Sequence, residues 1–311
     1  MMRSLSSAVT GLRSQQTAMD IIGNNIANIN TTGFKSSVTN FEDLFYQTLN
    51  GGTSNVNPSQ IGYGAQVAGV SKNMTGGGAT TTDNPTDLYI NGEGYFNVNT
   101  KADGTGTTYY TRVGDFHFNS NGYLVDANGN FVMNSGFTGT GAAGSDFAVH
   151  LSTTSTTATP ADPTTSTISM VANDGSGTVG IPEGKAASIT NIAINNDGTI
   201  TGTYNGKTGL ISNGATNTNI VGLSTFPDEA GLTQVGDNYY EASTASGKPA
   251  YTTAGGTNTT TLQSSALEMS NVDLSREFTN MIVTERGFQA NSRVITVSDT
   301  MLEELLNLKR S

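Results

Sequence analysis

The two ends of this chain are patterned as helices, while the long middle is patterned as strands and turns. From the N-terminus, Leu5, Ala8, Leu12, Gln15, Met19, Ile22, Ile26 and Ile29 recur at alternating intervals of three and four. Toward the C-terminus, Leu274, Phe278, Met281, Phe288, Ile295, Leu302 and Leu305 fall on a second ladder. Each ladder describes a helix with one apolar seam that needs a partner helix to bury it. Helices of ~25 and ~35 residues are too long to pack only on a few short strands. The termini are therefore expected to pair with each other, and packing with neighbouring copies would build a tube or filament.

Composition supports an assembling protein over a compact enzyme. Hydrophobic residues make up 35% of the 311 positions, Trp is absent and Gly supplies 38, which suits a turn-rich β protein with a thin core. Asp and Glu outnumber Lys and Arg by 25 to 14, a net charge of −11. Nothing in that balance can neutralise a run of phosphates, so nucleic acid is not an expected partner. There is no cysteine, which excludes disulfides, thiolate metal sites and cysteine nucleophiles. No segment approaches ~20 consecutive apolar residues, so membrane insertion is not expected. The polar residues Thr10, Arg13, Gln15, Gln16 and Asp20 interrupt any signal-peptide core, so export would proceed without a cleaved signal of that kind.

The fold class expected is α+β, with a mostly β core and N- and C-terminal helices paired as a coiled-coil-like stalk. The first helix covers residues 4 to about 30 with Ser4 or Ser6 as N-cap; Gly11 and Gly23 weaken it by about 1 kcal/mol each. Asp273 is the expected N-cap of a last helix running to about residue 308, roughly 50 Å long. Between them, Leu88–Ile90, Tyr95–Val98, Tyr109–Val113, Phe116–Phe118, Tyr123–Val125, Ile192–Ile194, Ile200–Tyr204 and Ile220–Leu223 read as strands. Asn91-Gly92, Asn121-Gly122 and Asn128-Gly129 read as type I′ turns between strands. The low-complexity stretch 138–187, rich in Thr, Ser, Ala and Gly, is expected to be either a small exposed β insertion or a loose excursion.

Catalytic chemistry finds little support. His117 lies between Phe116 and Phe118 and is expected on the opposite strand face from both; His150 has no neighbouring ligand. Asn119, Asn121, Asp126 and Asn128 superficially suggest a calcium loop. They lack its closing Glu, and hairpin turns explain them better. No spacing selects a carboxylate pair such as Asp115 and Asp126 from the 25 acidic residues. No cofactor, metal or catalytic residue is expected.

The segment Gly23-Asn24-Asn25-Ile26-Ala27-Asn28-Ile29-Asn30-Thr31-Thr32-Gly33-Phe34-Lys35 resembles the N-terminal signature of the bacterial flagellar rod and hook family. Within it, Asn24, Asn25, Ala27, Asn28, Gly33, Phe34 and Lys35 carry the likeness. Ser270-Asn271-Val272-Asp273-Leu274-Ser275, Asn280-Met281-Ile282, Arg286-Gly287-Phe288-Gln289 and Asn291 resemble the family's C-terminal signature. Asn84–Leu88, Ile90–Phe96, Tyr110–Phe116, Phe226–Leu232 and Gly236–Tyr240 look like its core β domain. The likeness covers nearly everything except 138–187.

The resemblance implies a domain order of 1–30 with 271–311 as an inner-tube helical domain and 31–71 as a connector. The core β domain would be 72–137 with 188–270, and 138–187 would be a small outer insertion or rudimentary outer domain. Helix and subunit packing would fall to Leu5, Leu12, Met19, Ile22, Ile26, Ile29, Leu274, Phe278, Met281, Phe288, Ile295, Leu302 and Leu305. The wording Val272–Glu277 favours a subunit of the flagellar hook, a curved flexible tube that transmits torque to the filament and forms part of the export channel. A distal rod protein of the basal body is the alternative, and a secreted adhesin or binding module ranks below both. For a hook subunit the implied partners are many copies of itself, the distal rod protein, the hook cap, the hook-filament junction protein and the flagellar type III export apparatus. Its implied location is the extracellular hook.

Overall fold

The structure is a computed structural model. It describes residues 2–52, 57–139, 147–149, 151, 168–172, 178–181, 189–204, 207–212, 220–255 and 260–310. The chain divides into two compact units. The first comprises 1–30, 35–74 and 271–311; the second comprises 31–34 and 75–270.

In the first unit, helix α1 spans Met2–Ala27 and helix α2 spans Leu274–Arg310. Asp273 caps α2 as its sequence predicts: the Asp273 carboxylate accepts the backbone N–H of Ser275 at 2.9 Å and of Arg276 at 3.3 Å. The α1 start lies before both Ser4 and Ser6, so neither is its cap. Helix α1 packs on α2 and on an antiparallel strand pair, Ser37–Asp43 with Ala65–Lys72. The segment expected as a connector thus supplies this pair and a second one, Tyr46–Asn50 with Ser59–Gly62.

Two asparagines of the terminal motifs hold the strand pair in place. The Asn25 amide donates to the Ser37 carbonyl at 2.8 Å and accepts the Ser37 N–H at 3.0 Å, so one buried side chain satisfies both backbone groups of that residue. Asn271 accepts the Ser36 N–H and donates to the Asn73 carbonyl, each at 2.8 Å. Asn73 N–H in turn donates to the Ser36 carbonyl at 2.8 Å, which closes the ring of bonds.

The second unit is built on an antiparallel sheet around Tyr95–Asn99, which is flanked by Thr108–Thr111, Phe131–Val132 and Gly222–Thr225. Its core joins Leu88, Phe96, Val98, Phe116, Leu124 and Val221. His117 is exposed while Phe116 is buried, as strand alternation requires. Strands Ile168–Ala172 and Thr178–Ile181 pair with each other, and the former pairs with Lys207–Ser212. Both lie inside the stretch 138–187; most of the rest of that stretch, and His150, fall outside the described residues.

The turns differ from the type I′ expectation. Gly92, Gly122 and Gly129 have positive φ (129°, 84° and 82°), but their asparagine partners do not. At two of them a side chain one turn earlier organises the loop. Asn119 accepts the N–H groups of Asn121 and Tyr123, and Asp126 accepts those of Asn128 and Asn130. The backbone carbonyl of the same residue accepts the glycine N–H, 2.9 Å to Gly122 and 3.0 Å to Gly129. These Asx-type turns place only glycine in the left-handed region. They also commit the Asn119 and Asp126 oxygens that superficially suggested a calcium loop.

A buried ion pair lies in this unit. Arg112 Nη1 is 3.5 Å from Glu268 Oε2, and both side chains are closed to solvent. The Arg112 guanidinium sits over the Tyr95 ring, 5.2 Å from its centroid. Glu268 Oε1 accepts the Gly77 N–H and its backbone carbonyl accepts the Gly33 N–H, each at 2.9 Å. Gly33 is required by contact as well as by its φ of 67°, because a Cβ there would meet Val113 Cγ2 at 2.8 Å.

Candidate assembly surface

The α1–α2 seam is not the apolar ladder. A Cβ on Gly11 would lie 2.7 Å from Asn291 Nδ2, and one on Gly287 would lie 3.1 Å from Gln15 Nε2. The helices therefore run antiparallel and approach closely where side chains are small. Buried positions on α2 are Glu277, Thr284 and Ser298; on α1 they are Ala8, Ser14, Ala18, Ile22 and Asn25. Ser14 and Thr284 return their hydroxyl protons to carbonyls of their own helices, at 2.9 and 2.8 Å, so these polar groups are not left unsatisfied. Gly11 thus has a packing role beside its cost in helix propensity.

Of the expected packing residues, only Ile22 is buried within the protomer. Leu5, Leu12, Met19, Ile26, Ile29, Met281, Ile295 and Leu302 are half-buried. Leu274, Phe278, Phe288 and Leu305 are exposed, together with Ile282, Val283, Val294, Val297, Met301, Leu306 and Leu308. Among the motif residues, Asn25, Gly33, Phe34 and Lys35 are buried, Asn28 is half-buried, and Asn24 and Ala27 are exposed. Sequence reasoning missed the polar seam. Its signal is the strict seven-residue spacing of Glu277, Thr284, Asn291 and Ser298.

A second apolar surface lies on the strand pairs of the same unit. Phe41, Phe45, Tyr46, Leu49 and Ile61 are all exposed, and Phe45 is 84% open to solvent. By contrast, the groups in the second unit with strongly shifted acidity are structural. Burial, then the hydrogen bond to Asp126, pushes Tyr239 up to about 12. Burial, then the Glu268 charge, pushes Tyr240 up to about 12. Burial also raises Tyr95 and Tyr110. Among the described residues no cluster of acidic or His side chains could hold a metal ion, and no helix is long and apolar enough to cross a membrane.

The class this fold defines is an α+β protein whose terminal helices approach through small residues, with a row of large apolar residues on the second helix left outward. Residues 5–35 match the family described as "Flagella basal body rod protein". Residues 89–202 match "Flagellar hook protein FlgE/F/G D1 domain" and residues 263–308 match "Flagellar basal body rod FlgEFG protein C-terminal". The chain is 36% identical to flagellar basal-body rod protein FlgG of Bacillus subtilis (strain 168), over 100% of each chain. It is 30% identical to the FlgG rod protein of Borreliella burgdorferi, again over 100% of each. Likeness to the flagellar hook protein FlgE of the same organism reaches 40% but covers 42% of this chain and 30% of that one. The chain belongs to the flagellar basal-body rod and hook protein family.

Proposed function

We propose that this chain is a structural subunit of the distal rod of the flagellar basal body, polymerising with copies of itself into part of the axial tube. The single observation that carries this reading is end-to-end similarity to rod proteins, over 100% of both chains, against a partial match to a hook protein. The hook reading drawn from Val272–Glu277 thereby becomes the second one, favoured by the 40% identity within the shared segments.

The chemistry suits a structural role. Each large apolar side chain moved from water into a contact between copies contributes about 1.5–3 kcal/mol, and α2 leaves a whole row of them outward. The inner-tube placement of α1 and α2, export by the type III apparatus, and contact with neighbouring axial proteins are part of this proposal. Electron microscopy of basal structures from cells lacking the gene tests it. Loss of both the distal rod and the hook is expected. An intact rod with only the hook missing would reverse the assignment to the hook.

A further inference from the structure

Six asparagines of this chain are followed by glycine, and four of those pairs lie among the described residues: 50–51, 91–92, 121–122 and 128–129. An Asn-Gly pair can modify itself. The glycine nitrogen, once its proton is lost to solvent, attacks the asparagine side-chain carbonyl carbon, and glycine has no Cβ to bar the approach. The step needs a glycine N–H open to solvent and a backbone free to turn until the two atoms meet.

Three of the pairs are held against it. Gly122 and Gly129 donate their N–H groups to the carbonyls of Asn119 and Asp126, at 2.9 and 3.0 Å. The side chains of the same two residues fix the N–H groups of Asn121 and Asn128. Asn91 ends the strand Leu88–Asn91, in which Leu88 and Ile90 are buried and which pairs with Thr261–Ser264. Gly92 lies so near Thr260 that a Cβ on it would stand 3.0 Å from the Thr260 Cα, and the Thr260 hydroxyl donates to the Glu93 carbonyl at 2.9 Å.

Asn50 and Gly51 have none of these restraints. Asn50 ends the strand Tyr46–Asn50, which pairs only with Ser59–Gly62, and every residue of both strands is exposed. A two-stranded ribbon with no core beneath it is marginal by itself and opens locally at low cost. Its register is already shifted between Thr48 and Asn50. Among the described residues no hydrogen bond engages the Asn50 side chain or the Gly51 N–H, and a Cβ on Gly51 would meet nothing within 4 Å.

We infer that Asn50–Gly51 is a site of spontaneous covalent modification, with water as the co-reactant. The Gly51 nitrogen bonds to Asn50 Cγ, the Cγ–Nδ2 bond breaks, and ammonia leaves with the proton that Gly51 gave up. Water then opens the five-membered imide at either carbonyl and leaves aspartate or isoaspartate at position 50. The net exchange is one water taken up and one ammonia released, with no oxidant or reductant. Either product adds a negative charge to a chain of net charge −11. Isoaspartate also lengthens the main chain by one carbon where the strand ladder ends. The inference stands on the single chain and does not depend on the rod reading.

The test follows purified full-length wild-type chain through incubation at mildly alkaline pH. Samples are digested at intervals, and the amide-to-acid conversion of all four Asn-Gly peptides is read by mass spectrometry. Asn50 is expected to convert about tenfold or more faster than Asn91, Asn121 and Asn128. Methyl transfer from labelled S-adenosylmethionine by an isoaspartyl methyltransferase should label the Asn50 peptide first. In urea the restraints vanish and the four rates should converge to within about threefold. Gly51→Ala places its methyl group in open space, so it should keep the fold while slowing conversion at Asn50 about tenfold. Conversion at Asn50 no faster than at Asn121 in the folded chain would overturn the inference. So would the same spread of rates in urea as in the fold, or an unchanged rate in Gly51→Ala.

Discussion

Gly11 of α1 and Asn291 of α2 approach so closely that a single added methyl group on Gly11 would come within 2.7 Å of the Asn291 amide nitrogen. The two helices come nearest at this small, polar contact and its neighbour Gly287–Gln15, while Phe278, Ile282, Val283 and Phe288 of α2 stay exposed.

Gly11→Leu should therefore part the helices. An overpacked contact of this kind costs about 1–3 kcal/mol. The expected signature is faster amide hydrogen exchange along α1, with the β units unchanged. Gly11→Ala should be much milder, because the Asn291 amide is the far end of a side chain that can turn away, and alanine regains about 1 kcal/mol of helix propensity. Equal effects of the two substitutions would contradict the close approach.

Asn25 is the next test. Asn25→Ala leaves the Ser37 N–H and carbonyl without the amide that now satisfies both. A loss of about 2–4 kcal/mol in the first unit is expected for two such groups. Asn25→Asp keeps the acceptor and loses the donor, so its urea midpoint should fall between those of wild type and Asn25→Ala.

In the second unit the buried pair of Arg112 and Glu268 predicts strong non-additivity. Arg112→Met alone takes the guanidinium away from the buried Glu268 carboxylate and should cost about 3–5 kcal/mol. Adding Glu268→Gln removes the buried negative charge and keeps an acceptor for the Gly77 N–H. The double variant should be more stable than Arg112→Met in a denaturant titration.

Alkaline pH should weaken the second unit. Tyr239 and Tyr240 are shifted from the ordinary value near 10 up to about 12. Below pH 10 folded and unfolded chains both keep these protons. Between about 10 and 12 the unfolded chain releases them and the fold does not, so stability present at neutral pH is lost as pH rises. Tyrosinate absorbance should lag free tyrosine and then appear together with unfolding. Tyr239→Phe should lessen the effect.

Assembly should depend on the outward apolar row. Phe288 is exposed on α2 in the single protomer. Phe288→Asp is expected to leave the fold and secretion intact but to abolish incorporation into basal structures. Normal axial structures carrying this variant would contradict the assembly role of that face.

Much of this protein was legible in its residues. Heptad spacing placed both terminal helices, Asp273 marked the start of α2, and alternation placed strands such as Phe116–Phe118 with His117 outward. The asparagine and glycine motifs pointed to the family to which the chain belongs. Turn geometry was less legible. Asn-Gly alone suggests positive φ at both residues, but Asn119 and Asp126 capture the following N–H groups and leave only the glycine left-handed. The partner of each helix face was beyond the sequence. Apolar periodicity states that a face is to be buried without stating against which chain. Only the tertiary structure decided that Gly11, Asn291, Gln15 and Gly287 join the helices while Phe278, Val283 and Leu305 stay outside. The reason is physical: helix axes come nearest where side chains are smallest, so the large apolar residues that dominate the pattern are displaced from that seam.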